Sequence, residues 1–497
     1  MSILNSKVSL KVLALTMAIS VAGNTVSAQD RDALTESNRL LLDVERYEAM
    51  LEDMESEFGP FDARLQEPLS GIENLYTEFG DFERVREIQS RRLQLLRTTL
   101  GLESPEVIPL LESMIRTEIQ LGNWDAVSDH LDHLLTLAQE NFGTDSEQAM
   151  AAMERQASWY MARVYLDRDR DRAEHFIEAR DIYEDLLDIA EDKFGEQDPA
   201  LIPWLYKRAF SLAQLVALLN SEGGLRGGAI DETLRADGPG RLETATRRGF
   251  FPSATPFGPS SRVPIVNGQE PVGAAYLRLA SGYIDDIRDI AEAEGNWETW
   301  AMATIYYGDY SFLRGRNSGR GDYREAWEKL VELGFSEDRL ETFFNRPMPI
   351  PVPRFYSSFA EMETYQQQLV EDLQPILDEE RREEAAAADP EEPWQQPVHA
   401  GRFVAWEDDA PAAPRPLLLD PVFAMNLPTA VVDFSFRLNG NGKVSGVDVL
   451  QVQPDESRAR RDAIRGVRAL RFRPALYEGR SKTRREVQLR YILLAEE

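Results

Sequence analysis

A glycine-ended turn that returns on a fixed beat is the feature of this sequence that most restricts its fold. Phe or Leu followed by Gly, then by acidic, Ser or Pro residues, occurs at Gly59, Gly101, Gly143 and Gly195, at spacings of 42, 42 and 52 residues. A second marker keeps the same beat, because Gly80-Asp81-Phe82 and Gly122-Asn123-Trp124 are also 42 residues apart. The next unit carries Asp167-Arg168-Asp169-Arg170-Asp171-Arg172 at that place. An insertion of about ten polar residues accounts for the longer spacing, as repeat arrays tolerate insertions in their loops. Between the markers the apolar residues follow a helical period. Val127, Leu131, Leu134, Leu135 and Ala138 share one face, and Ala179, Tyr183, Leu186, Leu187 and Ala190 do the same in the following unit. Each unit reads as a pair of helices. A single hairpin of this kind cannot bury its apolar face, so neighbours are expected to stack into a superhelix.

The Gly-x-aromatic turn, the small or branched residues Val85, Val127 and Ala179, and the Leu-Gly and Phe-Gly ends resemble the tetratricopeptide (TPR) repeat in its longer, 42-residue form. The Trp-x-x-Leu-Gly start of that repeat is poorly kept, which leaves repeat count and register open. The resemblance implies a concave surface that binds a protein or peptide. A helical array used only as a spacer is the alternative.

Composition narrows the chemistry. The chain has 497 residues with 55 Lys+Arg against 86 Asp+Glu, a formal charge of −31, and no Cys. Disulfides, cysteine nucleophiles, thiolate metal sites and a lipidated N-terminal Cys are therefore excluded. So acidic a chain is not expected to bind nucleic acid through its overall field. His130 and His133 lie three apart on a helix, flanked by Asp129 and Asp132, but no third ligand accompanies them. No His-Glu-x-x-His, Gly-x-Ser-x-Gly or P-loop pattern is present. No catalytic residue, metal or cofactor is predicted, and the chain is not read as an enzyme.

Lys7 and Lys11 precede an apolar run from Val12 to Ala22, and small residues ending in Val26-Ser27-Ala28 follow. The pattern is that of a cleavable signal peptide over residues 1–28. The run is shorter than the roughly 20 residues of a spanning helix. A mature chain beginning near Gln29 and exported to the periplasm is expected, with membrane contact at most peripheral.

The rest divides by composition. TPR-like repeats cover 29–220, and 221–272 is a loop rich in Gly, Pro and Arg. Degenerate TPR-like helices cover 273–350, where Gly295-Asn296-Trp297 and Gly321-Asp322-Tyr323 read as further repeat turns. Residues 351–416 read as one helix and an acidic, Ala/Pro-rich linker. Ser358-x-x-Glu361 opens the helix as a capping box, with Phe359, Met362, Leu369 and Leu373 as its apolar positions. The linker reads as a semi-stiff tether.

From 417 to 497 the period becomes that of strands. Val432, Phe434 and Phe436 alternate with Asp433, Ser435 and Arg437, and Asn439-Gly440-Asn441-Gly442 supplies a tight hairpin. Val444, Val447 and Val449 continue a second strand, with Gly446 at a bulge. A helix follows near Ser457–Leu470 with Ala463, Val467 and Leu470 on one side. Val487, Leu489, Tyr491 and Leu493 form a last strand. The predicted fold is mainly α, followed by a small α+β domain of strand-strand-helix-strand order.

These strands, with Ala469-Leu470-Arg471-Phe472-Arg473-Pro474-Ala475 and Gly479, resemble the TonB C-terminal domain family over about 80 residues. The resemblance implies binding to an outer-membrane TonB-dependent receptor by strand addition, with the exposed edge on the last strand. By position that edge is Val487, Gln488, Leu489, Arg490, Tyr491, Ile492 and Leu493. A strand that closes the domain, or pairs within a dimer, is the alternative. Charge divides along the same line: residues 415–497 hold 15 Lys+Arg against 10 Asp+Glu, whereas residues 29–414 carry a net −38. Arg458, Arg461, Arg465 and Arg468 form one basic stripe on the C-terminal helix. Together these features predict a periplasmic adaptor whose array binds a second envelope protein. The competing expectation is an energy transducer with an uncleaved N-terminal anchor.

Overall fold

A computed structural model describes residues 28–166, 172–220, 272–314, 319–387, 392–404 and 429–494. Residues 1–27, which hold all but the last residue of the expected signal peptide, nearly all of the 221–272 loop, the 167–171 insertion and residues 405–428 lie outside the described residues. The chain forms two compact units, the first ending at Leu121 and the second running from Gly122.

The first unit holds α1 (Ala28–Phe58), α2 (Gln66–Glu78), α3 (Phe82–Leu100) and α4 (Ile108–Leu121). Successive helices pack against one another. Leu51, Leu65, Leu69, Ile72 and Leu95 form its core. Inside it, Glu73 accepts from Gln89 Nε2 at 2.8 Å and Ser113 Oγ at 2.9 Å, and pairs with Arg92.

The second unit continues the hairpins with α5 (Trp124–Phe142), α6 (Glu147–Leu166), α7 (Arg172–Phe194), α8 (Ile202–Asn220), α9 (Val272–Ala293), α10 (Trp297–Leu313) and α11 (Gly319–Glu332). Each helix packs on the next. Then come α12 (Glu337–Phe344), β1 (Met348–Ile350), α13 (Phe359–Val370), α14 (Glu379–Ala387) and β2 (Val398–Val404). The C-terminal part is β3 (Thr429–Leu438), β4 (Val444–Gln453), α15 (Ser457–Ala469), β5 (Arg471–Arg473), β6 (Ala475–Tyr477), β7 (Arg480–Lys482) and β8 (Arg484–Leu494).

The repeat marker has a local cause. Gly59, Gly101, Gly143 and Gly195 have φ of +92°, +97°, +97° and +89°. Each donates its N–H to the carbonyl four residues back, at 2.8–3.1 Å. No neighbouring atom crowds Gly59, Gly101 or Gly195, so backbone angle rather than space demands glycine there. Three residues later the next helix is capped. Asp62, Ser104, Ser146 and Asp198 accept from the N–H groups of Arg64, Glu106, Ala149 and Ala200. These caps keep the 42, 42 and 52 spacing. Val85, Val127 and Ala179 are each buried, as expected of the small position facing the paired helix.

Gly295 repeats the turn of Gly80 and Gly122, with φ of +69° against +69° and +71°. The turn expected at Gly321 is absent. Gly321 lies in the first turn of α11, so Arg320-Gly321-Asp322 is helical. Ser358 caps α13 by accepting from the Glu361 N–H at 3.3 Å, and Phe359, Met362 and Leu373 are buried.

The boundaries expected at 350/351 and 416/417 place paired strands in different domains. β1 pairs antiparallel with β5, and β2 pairs parallel with β8. The four-stranded sheet has the order β2-β8-β3-β4. Val432, Phe434, Phe436, Ala463, Val467, Phe472, Leu489 and Tyr491 form its core beneath α15. Leu476 of β6 belongs instead to the core of the helices.

Candidate functional site

The strand expected to offer an exposed edge, Val487–Leu493, is interior. On one side β8 pairs with β3 from Thr429↔Leu494 to Leu438↔Arg484, and on the other with β2 from Val398↔Val487 to Val404↔Ile492. The occupant comes from the segment read as tether. Val-His-Ala-Gly-Arg-Phe-Val supplies enough apolar surface to dock, and Phe403 stacks on Tyr491 with ring centroids 5.3 Å apart. Val487, Leu489, Tyr491 and Leu493 face the core.

Polar residues of β8 are engaged on its other face. Gln488 holds a backbone in two directions: its Oε1 accepts from the Ile376 N–H at 2.7 Å and its Nε2 donates to the Ile376 carbonyl at 2.9 Å. Arg490 makes a two-point pair with buried Asp433, both contacts at 2.9 Å. Of the polar residues of the β3 alternation, Asp433 is buried against Arg490 and Ser435 is buried with its Oγ donating to Glu486 at 2.7 Å, whereas Arg437 is exposed. His399 of β2 is buried here too, its Nδ1 accepting from the Gly401 N–H at 3.0 Å. Burial lowers its pKa to about 4; Arg490, Arg346 and Arg402 push the same way and Asp433 opposes them.

The turn before β4 is fixed from outside. Gly442 has φ +70°, and a Cβ on it would lie 2.0 Å from the Phe472 carbonyl oxygen. The Phe472 N–H donates to the Gly442 carbonyl at 3.0 Å. Asn439 Oδ1 accepts from the N–H groups of Asn441 and Lys443.

Arg458, Arg461, Arg465 and Arg468 are exposed on α15, and Arg460 is a fifth exposed arginine. Ala459, Asp462, Ala463, Gly466 and Val467 form the buried side. Asp462 is the one acid within α15, and it sits between Arg465 at 3.1 Å and Arg458 at 3.6 Å.

The contact that sequence reasoning missed is Arg473. It leaves the C-terminal part and enters the helices, where its Nε and Nη2 donate to Asp309 of α10 at 3.0 and 2.5 Å. Tyr323 Oη donates to the same carboxylate at 2.6 Å. Arg473 and Asp309 are both buried. The available signal was Asp309 itself, set among Tyr306, Tyr307, Tyr310 and Phe312 of α10, where a buried carboxylate requires a partner.

His130 and His133 are half-buried on α5. Among the described residues no group of three or more His, Asp or Glu is placed to hold a metal ion. No helix among them is long and apolar enough to cross a membrane.

No model of a known protein family matches the sequence, and no curated protein matches it significantly. Among solved structures, kinesin light chain TPR-like repeats from Podosopora anserina are 12% identical, with 43% of this chain covering 86% of that one at a TM-score of 0.26. BtubC (BKLC) from P. vanneervenii is also 12% identical, with 60% of this chain covering 93% of that one at a TM-score of 0.27. The first of these is described as TPR-like repeats. At such scores the likeness carries no argument about partners. The hairpin architecture of this chain stands on its own caps and packing.

Proposed function

We propose that this chain is an exported scaffold of the bacterial envelope, in which TPR-like hairpins bind one protein and the C-terminal sheet and helix bind another. One observation supports this reading above the rest. Arg473 fastens the C-terminal part to Asp309 of α10, which Tyr323 of α11 also holds, and β5 pairs with β1. A partner on α15 is thereby held at a fixed place relative to the hairpins of the second unit. The resemblance to the TonB C-terminal domain supports a site at the outer membrane and a receptor as the second partner. Strand addition on β8 is no part of the proposal, because β2 holds that side.

The test keeps the chain whole. A photo-crosslinking residue is placed at exposed Arg116 of α4 or exposed Arg461 of α15, and adducts are identified in intact cells. Distinct envelope proteins from the two positions are expected, together with a mature N-terminus near Gln29. An intact Met1 segment in the membrane fraction overturns the scaffold reading in favour of an anchored transducer. Adducts absent from both positions overturn protein binding.

A further inference from the structure

We propose that the outer edge of β4 accepts an extended acidic polypeptide segment, with the arginines of α15 reading its carboxylates. The inference rests on the C-terminal part being a protein-binding element, and it names the surface and the chemistry of the partner. Two independent observations meet at this strand.

The first is backbone. β4 is ten residues long and pairs with β3. Among the described residues no strand lies on its other side. An edge of that length presents a row of N–H and C=O groups, which natural proteins usually blunt with Lys, Pro or short length. The sequence Val-Ser-Gly-Val-Asp-Val-Leu-Gln-Val-Gln contains neither Lys, Arg nor Pro. What β4 does have is bulging, since its register against β3 shifts between Asp433 and Phe434 and again between Ser435 and Arg437. Bulges bend and twist a strand, which discourages a second rigid sheet edge while a flexible peptide can follow the bend. The occupant that fits is a peptide.

The second is charge. α15 packs chiefly on β4. Opposite its buried row stand Arg461 and Arg468; Arg460 lies on one flank and Arg458 and Arg465 on the other. Whichever flank overhangs the edge therefore carries guanidinium groups. Asp462 already engages Arg458 and Arg465. Arg460, Arg461 and Arg468 stand exposed. A strand added beside β4 would lie about 4.8 Å away, within reach of an arginine side chain. Carboxylates at alternate positions would then all point to the helix side.

The probe is a blocked ten-residue peptide alternating Glu and Val, titrated into the full-length protein in physiological salt. Amide exchange is followed by mass spectrometry. Binding is expected to slow exchange within Val444–Gln453. A peptide with Lys for Glu, and a Glu peptide N-methylated at alternate amides, are each expected to bind at least about tenfold more weakly. Arg460→Glu with Arg465→Glu, which removes one exposed guanidinium from each flank of α15, is expected to weaken the Glu peptide by about tenfold. The proposal is overturned if β4 is already protected in the protein alone, or if the Lys or N-methylated peptide binds equally well. It is likewise overturned if binding leaves β4 exchange unchanged, or if inorganic phosphate displaces the peptide. Cellular adducts at Arg461 without peptide binding sink the strand site and leave the scaffold standing; loss of both removes the two together.

Discussion

Arg473 and Asp309 are a charged pair with almost no access to water, and burial alone would push the guanidinium below its ordinary pKa. Asp309 outweighs that, so Arg473 is held above its ordinary value and stays charged. Such a pair is weak evidence of net stabilisation, but removing one partner strands the other. Arg473→Met is expected to cost about 3–5 kcal/mol in denaturant melts, whereas Asp309→Leu with Arg473→Met should cost clearly less than the sum of the singles. Additive losses would mean the two groups do not act as a pair. His399 makes a second residue-scale prediction. Its folded pKa is depressed, to about 4 from an ordinary 6.5, so the fold favours the neutral ring. The stability it contributes is complete above about 6.5 and is lost as pH falls toward 4. His399→Gln should flatten that stretch of the stability–pH curve, and an unchanged curve would assign the acid loss to other groups. The Arg473 contact was not legible beforehand, because Asp309 lies 164 positions back in sequence; the burial of His399 was not, because it follows from β2 docking on β8.

At the scale of elements, the legible features were those with a local cause. A positive φ and a cap three residues later are properties of a few neighbouring residues, so the hairpins of 45–220 could be read from Gly59, Gly101, Gly143 and Gly195. Where the same rule was applied to Gly321 it failed. That glycine sits in a helix with ordinary angles, and no atom lies within 4 Å of where its Cβ would be. The contrast gives opposite signs for one substitution. Gly101→Ala, at φ +97° and ψ 166°, is expected to destabilise by about 1–3 kcal/mol through backbone strain alone. Gly321→Ala is expected to stabilise by about 0.5–1 kcal/mol through helix propensity and a less flexible unfolded chain. Thermal or denaturant melts measure both, and destabilisation at Gly321 would restore the turn. The stripe on α15 was legible for the same local reason, since Arg458, Arg461, Arg465 and Arg468 follow the helical period and stand exposed. β2 was not: seven residues with a central Gly, set among acidic and Pro-rich neighbours, become a strand through β8 and Phe403–Tyr491 rather than through their own pattern.

At the scale of the molecule, charge and period suggested an acidic array tethered to a small basic module with a boundary near Pro416. The second unit instead runs from Gly122 to the C-terminus, and the interlocking lies within it. β1 supplies a partner for β5, β2 covers β8, Leu476 fills the helical core, and Arg473 neutralises Asp309. Ending the chain at Pro416 removes β3 to β8 and Arg473. It leaves Asp309 in a buried, largely aromatic setting with the Tyr323 hydroxyl still donating to it but without its cation, at a cost of several kcal/mol. Such a chain is therefore expected to lose amide-exchange protection throughout α10, α11 and β1, far outside the deleted segment. A fragment of residues 417–497 should fare no better, since β8 loses β2 and β5 loses β1 on the same cut. Hydrogen exchange on the truncated and full-length chains decides it: if α10 and α11 keep full-length protection after truncation, the interlocking contributes little and a tethered module is the correct description.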